Sequence, residues 1–175
     1  PGMGMVPIVE ENAAVIANIK ATAAPTSRSG RPEYAPLKAA CAMLWKSNDD
    51  EIIEGLQGLY RALMSTDVID AIDAIIHYGC IGRFVELLTR IDNKTIIHWA
   101  ILSTVNISCG TPDQVVVIMQ AGAMGSIINI MTSISPETRE QALWALANLA
   151  ATPKDATRCS TYAGEFVELS GVAPL

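Results

Sequence analysis

Trp144 and Asn148 sit four residues apart in the run Glu140-Gln141-Ala142-Leu143-Trp144-Ala145-Leu146-Ala147-Asn148-Leu149-Ala150. On an α-helix that spacing places one side chain above the other on a single face. The pair offers two kinds of non-covalent chemistry. An indole face attracts a cation, and it gives the methylenes of a Lys or Arg side chain a surface to lie against. A carboxamide both donates and accepts hydrogen bonds, which suits an extended peptide backbone. The competing reading of Trp144 is a large core aromatic, and that of Asn148 a helix-end residue bonded to a neighbouring loop.

Covalent chemistry has no comparable candidates. His77 and His98 have no Cys, Asp or Glu at ligand spacing, and the four cysteines (Cys41, Cys80, Cys109, Cys159) form no zinc-type pair. They read as reduced thiols. Asp67, Asp70 and Asp73 recur at helical spacing and read as a solvated face, as do Glu51 and Glu54. His77, just before Tyr78-Gly79, reads as a residue at a helix C-terminus. No nucleophile elbow, phosphate-binding glycine loop or cofactor motif is present. The sequence points to a binding protein and not to an enzyme, with no cofactor and no metal.

The composition agrees. Of 175 residues, 50% are hydrophobic and 17% charged, enough apolar material for a packed domain. Ala, Leu, Ile and Met dominate over strand-type alternation, which predicts an all-α fold. The net charge of −6 argues against direct nucleic-acid binding and suits a basic partner. No run of about 18 apolar residues predicts a membrane span. The chain opens Pro1-Gly2 and reads as part of something longer.

The elements that must position the Trp/Asn pair come from an internal repeat. The segment Gly79 to Ile91 aligns with Gly122 to Ile134, sharing both glycines, the Thr and the final Ile. A weaker copy of the opening motif lies 42 residues upstream, Leu102-Ser103-Thr104-Val105-Asn106-Ile107-Ser108. A further start is visible at Gly171-Val172-Ala173-Pro174-Leu175. A period near 42 belongs to helical units that bury their apolar faces only by stacking. Each unit reads as three helices: 67–78, 81–91 and 94–108, then 111–121, 123–133 and one opening at Ser135-Pro136-Glu137. Helices over 36–47 and 49–64 make a partial first unit, with Gly55 and Gly58 making the second less regular. The organisation is thus 1–33, an N-terminal helix (about 8–24) and linker that is a candidate cap, then repeats at about 34–66, 67–109 and 110–152 and the start of another.

The run 140–150 closely resembles the third helix of importin-α armadillo repeats. Asn106-Ile107-Ser108-Cys109-Gly110-Thr111, on through Val115 to Ala121-Gly122-Ala123, resembles the junction between such repeats. The resemblance covers about residues 49–150. It implies a right-handed superhelical armadillo solenoid of about three repeats, whose third helices line a concave groove. In that family Trp and Asn pairs in the groove bind nuclear localisation signals. Carried over residue by residue, it implicates Trp144, Asn148 and Gln141, with Asn106, Gly110 and Thr111. Leu102 replaces the family's Trp, Val115 replaces a Thr, and Thr152 replaces an acidic residue. A weakened response to the family's usual basic signal is expected.

Projected at i, i+4, i+7, i+11, the last third helix gives Glu137, Gln141, Trp144 and Asn148, and the middle one Thr95, Trp99, Leu102 and Asn106. Core packing and groove contact are equally open for Trp99. The first gives Ile52, Leu56, Leu59 and Leu63, an apolar patch expected to face a partner or residues 8–24. The expected groove therefore runs from amide-and-aromatic to apolar, and its partner is a protein or peptide that is part basic and part hydrophobic. Localisation would be nuclear and cytoplasmic. The arm by which importin-α binds importin-β is not evident, since residues 1–33 hold only Lys20, Arg28 and Arg31 as basic residues. The alternative is an importin-α-derived scaffold that has lost signal binding and holds a dedicated partner. A purely structural repeat within a larger assembly is the third reading.

Overall fold

A computed structural model of the chain describes residues 35–64, 67–155 and 158–161, with side chains to 152. The expectations for residues 1–33 and 171–175 fall outside the described residues. Eight helices are described: α1 (Ala35–Met43), α2 (Asp49–Leu63), α3 (Val68–His77), α4 (Ile81–Leu87), α5 (Lys94–Ile107), α6 (Pro112–Gln120), α7 (Ala123–Ile130) and α8 (Pro136–Ala151). A short antiparallel ribbon follows, β1 (Pro153–Asp155) with β2 (Arg158–Thr161), pairing Pro153 with Thr161 and Asp155 with Arg158. No strand was expected there; the ribbon follows α8 in the chain, touches α6, and leaves the helical stack as an all-α solenoid.

Helix starts follow from cap chemistry. Asn48, Asp67, Asn93, Thr111 and Ser135 each accept a backbone N–H in the first turn of the helix that follows, replacing bonds the helix itself cannot make. Gly79 and Gly122 end α3 and α6 with φ of 69° and 90°, left-handed conformations that glycine adopts without strain. The second helices are shorter than the sequence predicted. α4 stops at Leu87 and α7 at Ile130. Past α4 the chain tightens into three-residue turns, Thr89 N to Glu86 O at 3.0 Å and Arg90 N to Leu87 O at 3.3 Å.

The third helix of each unit stacks on its counterpart in the next: α2 packs along α5, and α5 along α8. The second and first helices form the other layer, and the core between them is continuous through Leu44, Leu56, Ile72, Phe84, Ile101 and Leu149. α2 is unbroken despite its glycines. A Cβ on Gly58 would lie 2.8 Å from the Cβ of Ala40, so the glycines let α1 and α2 approach closely.

Polar bonds set the register between units. Asp49, at the start of α2, takes Arg90 Nη2 at 3.0 Å and Asn93 Nδ2 at 2.8 Å from the α4–α5 turn. The Asn93 bond and then the Arg90 bond hold the Asp49 carboxyl below the usual carboxylate range. His98 Nδ1 meets Thr138 Oγ1 at 3.0 Å, tying α5 to α8. Gln114 Nε2 donates to Ile69 O at 2.9 Å and Asp73 Oδ1 at 2.6 Å, tying α6 to α3.

A candidate peptide groove along the third helices

The N-caps of the three third helices, Asn48, Asn93 and Ser135, give a structural register. Positions two, six, nine and thirteen after the cap are Thr95, Trp99, Leu102 and Asn106 in α5. In α8 they are Glu137, Gln141, Trp144 and Asn148. These are the stripes the sequence projected, and all of their residues are exposed or half-buried.

The first stripe needs correction. Ile52, Leu56, Leu59 and Leu63 are at most 2% exposed and belong to the core, not to an apolar patch on the surface. The physical reason is register. Asn48 and Asn93 lie 45 residues apart, whereas Asn93 and Ser135 lie 42 apart. A constant repeat length falls about two residues short in the first unit, and two residues turn a helix by about 200°, which exchanges the open face for the buried one. The equivalent stripe on α2 is Asp50, Glu54, Gln57 and Arg61, exposed except for half-buried Gln57. These four were not legible as the matching open stripe, although the likeness of Asn48-Asp49-Asp50 to Asn93-Lys94-Thr95 as helix starts carried the signal.

Trp144 is 58% exposed, too open for a core aromatic. One turn on, Asn148 Nδ2 donates to Ser108 Oγ at 3.0 Å and fixes the C-terminal half of α8 against the end of α5. Asn106 Nδ2 donates to its own helix, Leu102 O at 3.0 Å. Each carboxamide also carries an acceptor oxygen, so a peptide N–H can be taken while Nδ2 holds the helix. Gln141 is half-buried on the same stripe. Trp99 is half-buried, with its ring 5.5 Å from that of Tyr60 at 62°, an edge contact joining α2 to α5. It therefore packs between the two helices while part of its surface stays open.

Gly110 and Thr111 have structural work. Thr111 Oγ1 accepts Gln114 N at 3.4 Å while Gln114 Oε1 accepts Thr111 N at 3.0 Å, a reciprocal cap on α6. A Cβ on Gly110 would lie 2.8 Å from Gln114 Oε1 and 2.9 Å from Ile72 Cδ1. Both residues form the joint between units. Val115 is buried, and Thr152 is buried with its hydroxyl donating to Asn148 O at 3.0 Å. Neither presents the hydroxyl or carboxylate that the family resemblance places there.

Carboxylates stand at the N-terminal ends of two stripes, Asp50 and Glu54 on α2 and Glu137 on α8. Glu137 is exposed, and its own backbone N–H and the Ser135 hydroxyl hold its carboxyl below the usual range. Among the described residues no group of His, Cys, Asp and Glu could hold a metal ion, and no single helix is long and apolar enough to cross a membrane.

Stacked three-helix units with a continuous row of third helices define the armadillo solenoid, and residues 111–151 match the family model of the Armadillo/beta-catenin-like repeat. A designed armadillo repeat protein solved in complex with the peptide (KR)4 superposes with a TM-score of 0.69 at 18% identity, over 94% of this chain and 70% of that one. Within that class, the sequence resembles importin-α. Importin subunit alpha-2 of Arabidopsis thaliana is 32% identical over 135 residues, 77% of this chain and 24% of that protein. Importin subunit alpha-1b of Oryza sativa subsp. japonica is 33% identical over 100 residues, 57% of this chain and 18% of that protein. The chain thus spans about a quarter or less of these relatives.

Proposed function

We propose that this chain is a peptide- or protein-binding armadillo scaffold that holds an extended segment of its partner across α2, α5 and α8. The repeats taking part are those at about 34–66, 67–109 and 110–152. The carrying observation is that Trp144 stands exposed one turn from Asn148, on a stripe that continues in register over the neighbouring third helices. The indole takes the stem and charge of a basic side chain, and the amide row takes the peptide backbone. The likeness to importin subunits alpha and to a designed repeat protein bound to (KR)4 supports a basic segment of the nuclear-localisation-signal type. An adaptor role in nuclear import, with nuclear and cytoplasmic residence, follows from that reading.

A second reading has its own observation. Leu102 stands in place of a tryptophan, and Val115 and Thr152 are buried, which favours a diverged scaffold that holds a dedicated partner and responds weakly to the usual basic signal. Titration of the chain with a Lys/Arg-rich peptide, beside Trp144→Ala and Asn148→Ala, tests the groove. Loss of the exposed indole should cost about 1–2 kcal/mol, roughly a five- to thirty-fold weakening, with helical content unchanged. Equal affinity in all three proteins would rule out the groove mechanism.

A further inference from the structure

We infer that the groove selects a segment with an apolar residue between two cations, an order that rests on the peptide-groove reading above and adds to it. Three observations carry it. The stripe on α2 exposes Asp50 and Glu54 one turn apart. The stripe on α5 holds no charged residue: its centre is Trp99 and Leu102, both half-buried, with the Trp99 ring edge-on to Tyr60. The stripe on α8 returns to charge and aromatic surface, with an exposed Glu137 and, two turns on, an exposed Trp144.

A cation seated over Leu102 would lose water and meet no carboxylate, whereas an aliphatic or aromatic side chain there covers apolar surface already half removed from water. The positions on either side have the opposite preference. Asp50 and Glu54 reward a positive charge at one end, and the exposed Trp144 face rewards another at the far end. Arg61 carries the one opposing charge on these stripes. It lies seven residues from Glu54, about 10 Å along α2, level with Asn106 and Asn148. Its charge therefore stands apart from the carboxylate end of the stripe. Packed helices lie about 8–10 Å apart and an extended chain rises about 3.3 Å per residue. Two to three residues therefore separate neighbouring subsites.

The test is calorimetric titration of the full chain with synthetic peptides of equal length, made with both spacings. One has Lys, Leu and Lys at the three subsites, a second has Lys at all three, and a third has Leu at all three. The first should bind at least fivefold more tightly than either of the others. Leu102→Gln should erase its advantage over the all-Lys peptide, and Asp50→Asn with Glu54→Gln should weaken both Lys-ended peptides alike. Equal or tighter binding of the all-Lys peptide by the parent chain overturns the proposed order while leaving the groove standing. Failure of every peptide to bind overturns the groove itself.

Discussion

Leu102 and Trp144 occupy the same place on successive helices, nine residues after the caps Asn93 and Ser135, and the difference between them decides how this surface recognises charge. An exposed indole attracts a cation, and a half-buried isobutyl group does not. Replacing Leu102 with Trp should therefore restore affinity for an all-basic peptide by roughly 1 kcal/mol, about fivefold, read by the same titration that measures the loss in Trp144→Ala. The Trp/Asn pair was legible from its spacing alone, because α8 begins at an unambiguous Ser-Pro-Glu start. The roles of Gly110 and Thr111 were not. Their identities match a binding-repeat junction, yet only the backbone positions show that Ile72 and Gln114 crowd Gly110 and that Gln114 closes the cap.

At the scale of the helix, caps determined what could be read. Every described third helix begins where an Asn or Ser side chain takes over a backbone bond, so starts were predictable. Ends were less so, since nothing in Thr89-Arg90-Ile91 announces that the ladder gives way to tighter turns. The error over Ile52, Leu56, Leu59 and Leu63 came from carrying one repeat length into a unit that is longer. Apolar periodicity marks a face without saying whether it points to core or groove. Two substitutions separate joint from site. Thr111→Ala removes the α6 cap at a cost of about 1 kcal/mol. Gly110→Ala forces a methyl into occupied space at a cost of about 1–3 kcal/mol. Both should lower the denaturation midpoint while leaving peptide affinity of the folded protein unchanged; a selective loss of affinity would return these residues to the site.

For the whole molecule, stability depends on ties between units as much as on each unit. The Asp49–Arg90–Asn93 contact is one such tie, and its carboxyl titrates below the ordinary range. A depressed carboxylate pKa adds stability that is fully present above the unfolded-state value, near pH 4, and is lost as pH falls through the folded-state value. Denaturant midpoints should therefore drop below about pH 4, and Asp49→Asn should flatten that part of the profile; an unchanged profile would remove Asp49 from the account. Binding of a basic segment to a stripe of carboxylates should also weaken with added salt. The repeat architecture itself was legible at this scale from the matching Gly79 and Gly122 segments. The stacking of the third helices was not, since it depends on contacts 40 or more residues apart in sequence, such as His98 with Thr138.

The most direct test of the central claim is amide hydrogen exchange of the full chain with and without a Lys/Arg-rich peptide, resolved by helix. The account predicts new protection in α2, α5 and α8 together, strongest in the turns bearing Arg61, Asn106 and Asn148. Protection confined to the second helices α1, α4 and α7, or no peptide-dependent change in the third helices, would contradict it.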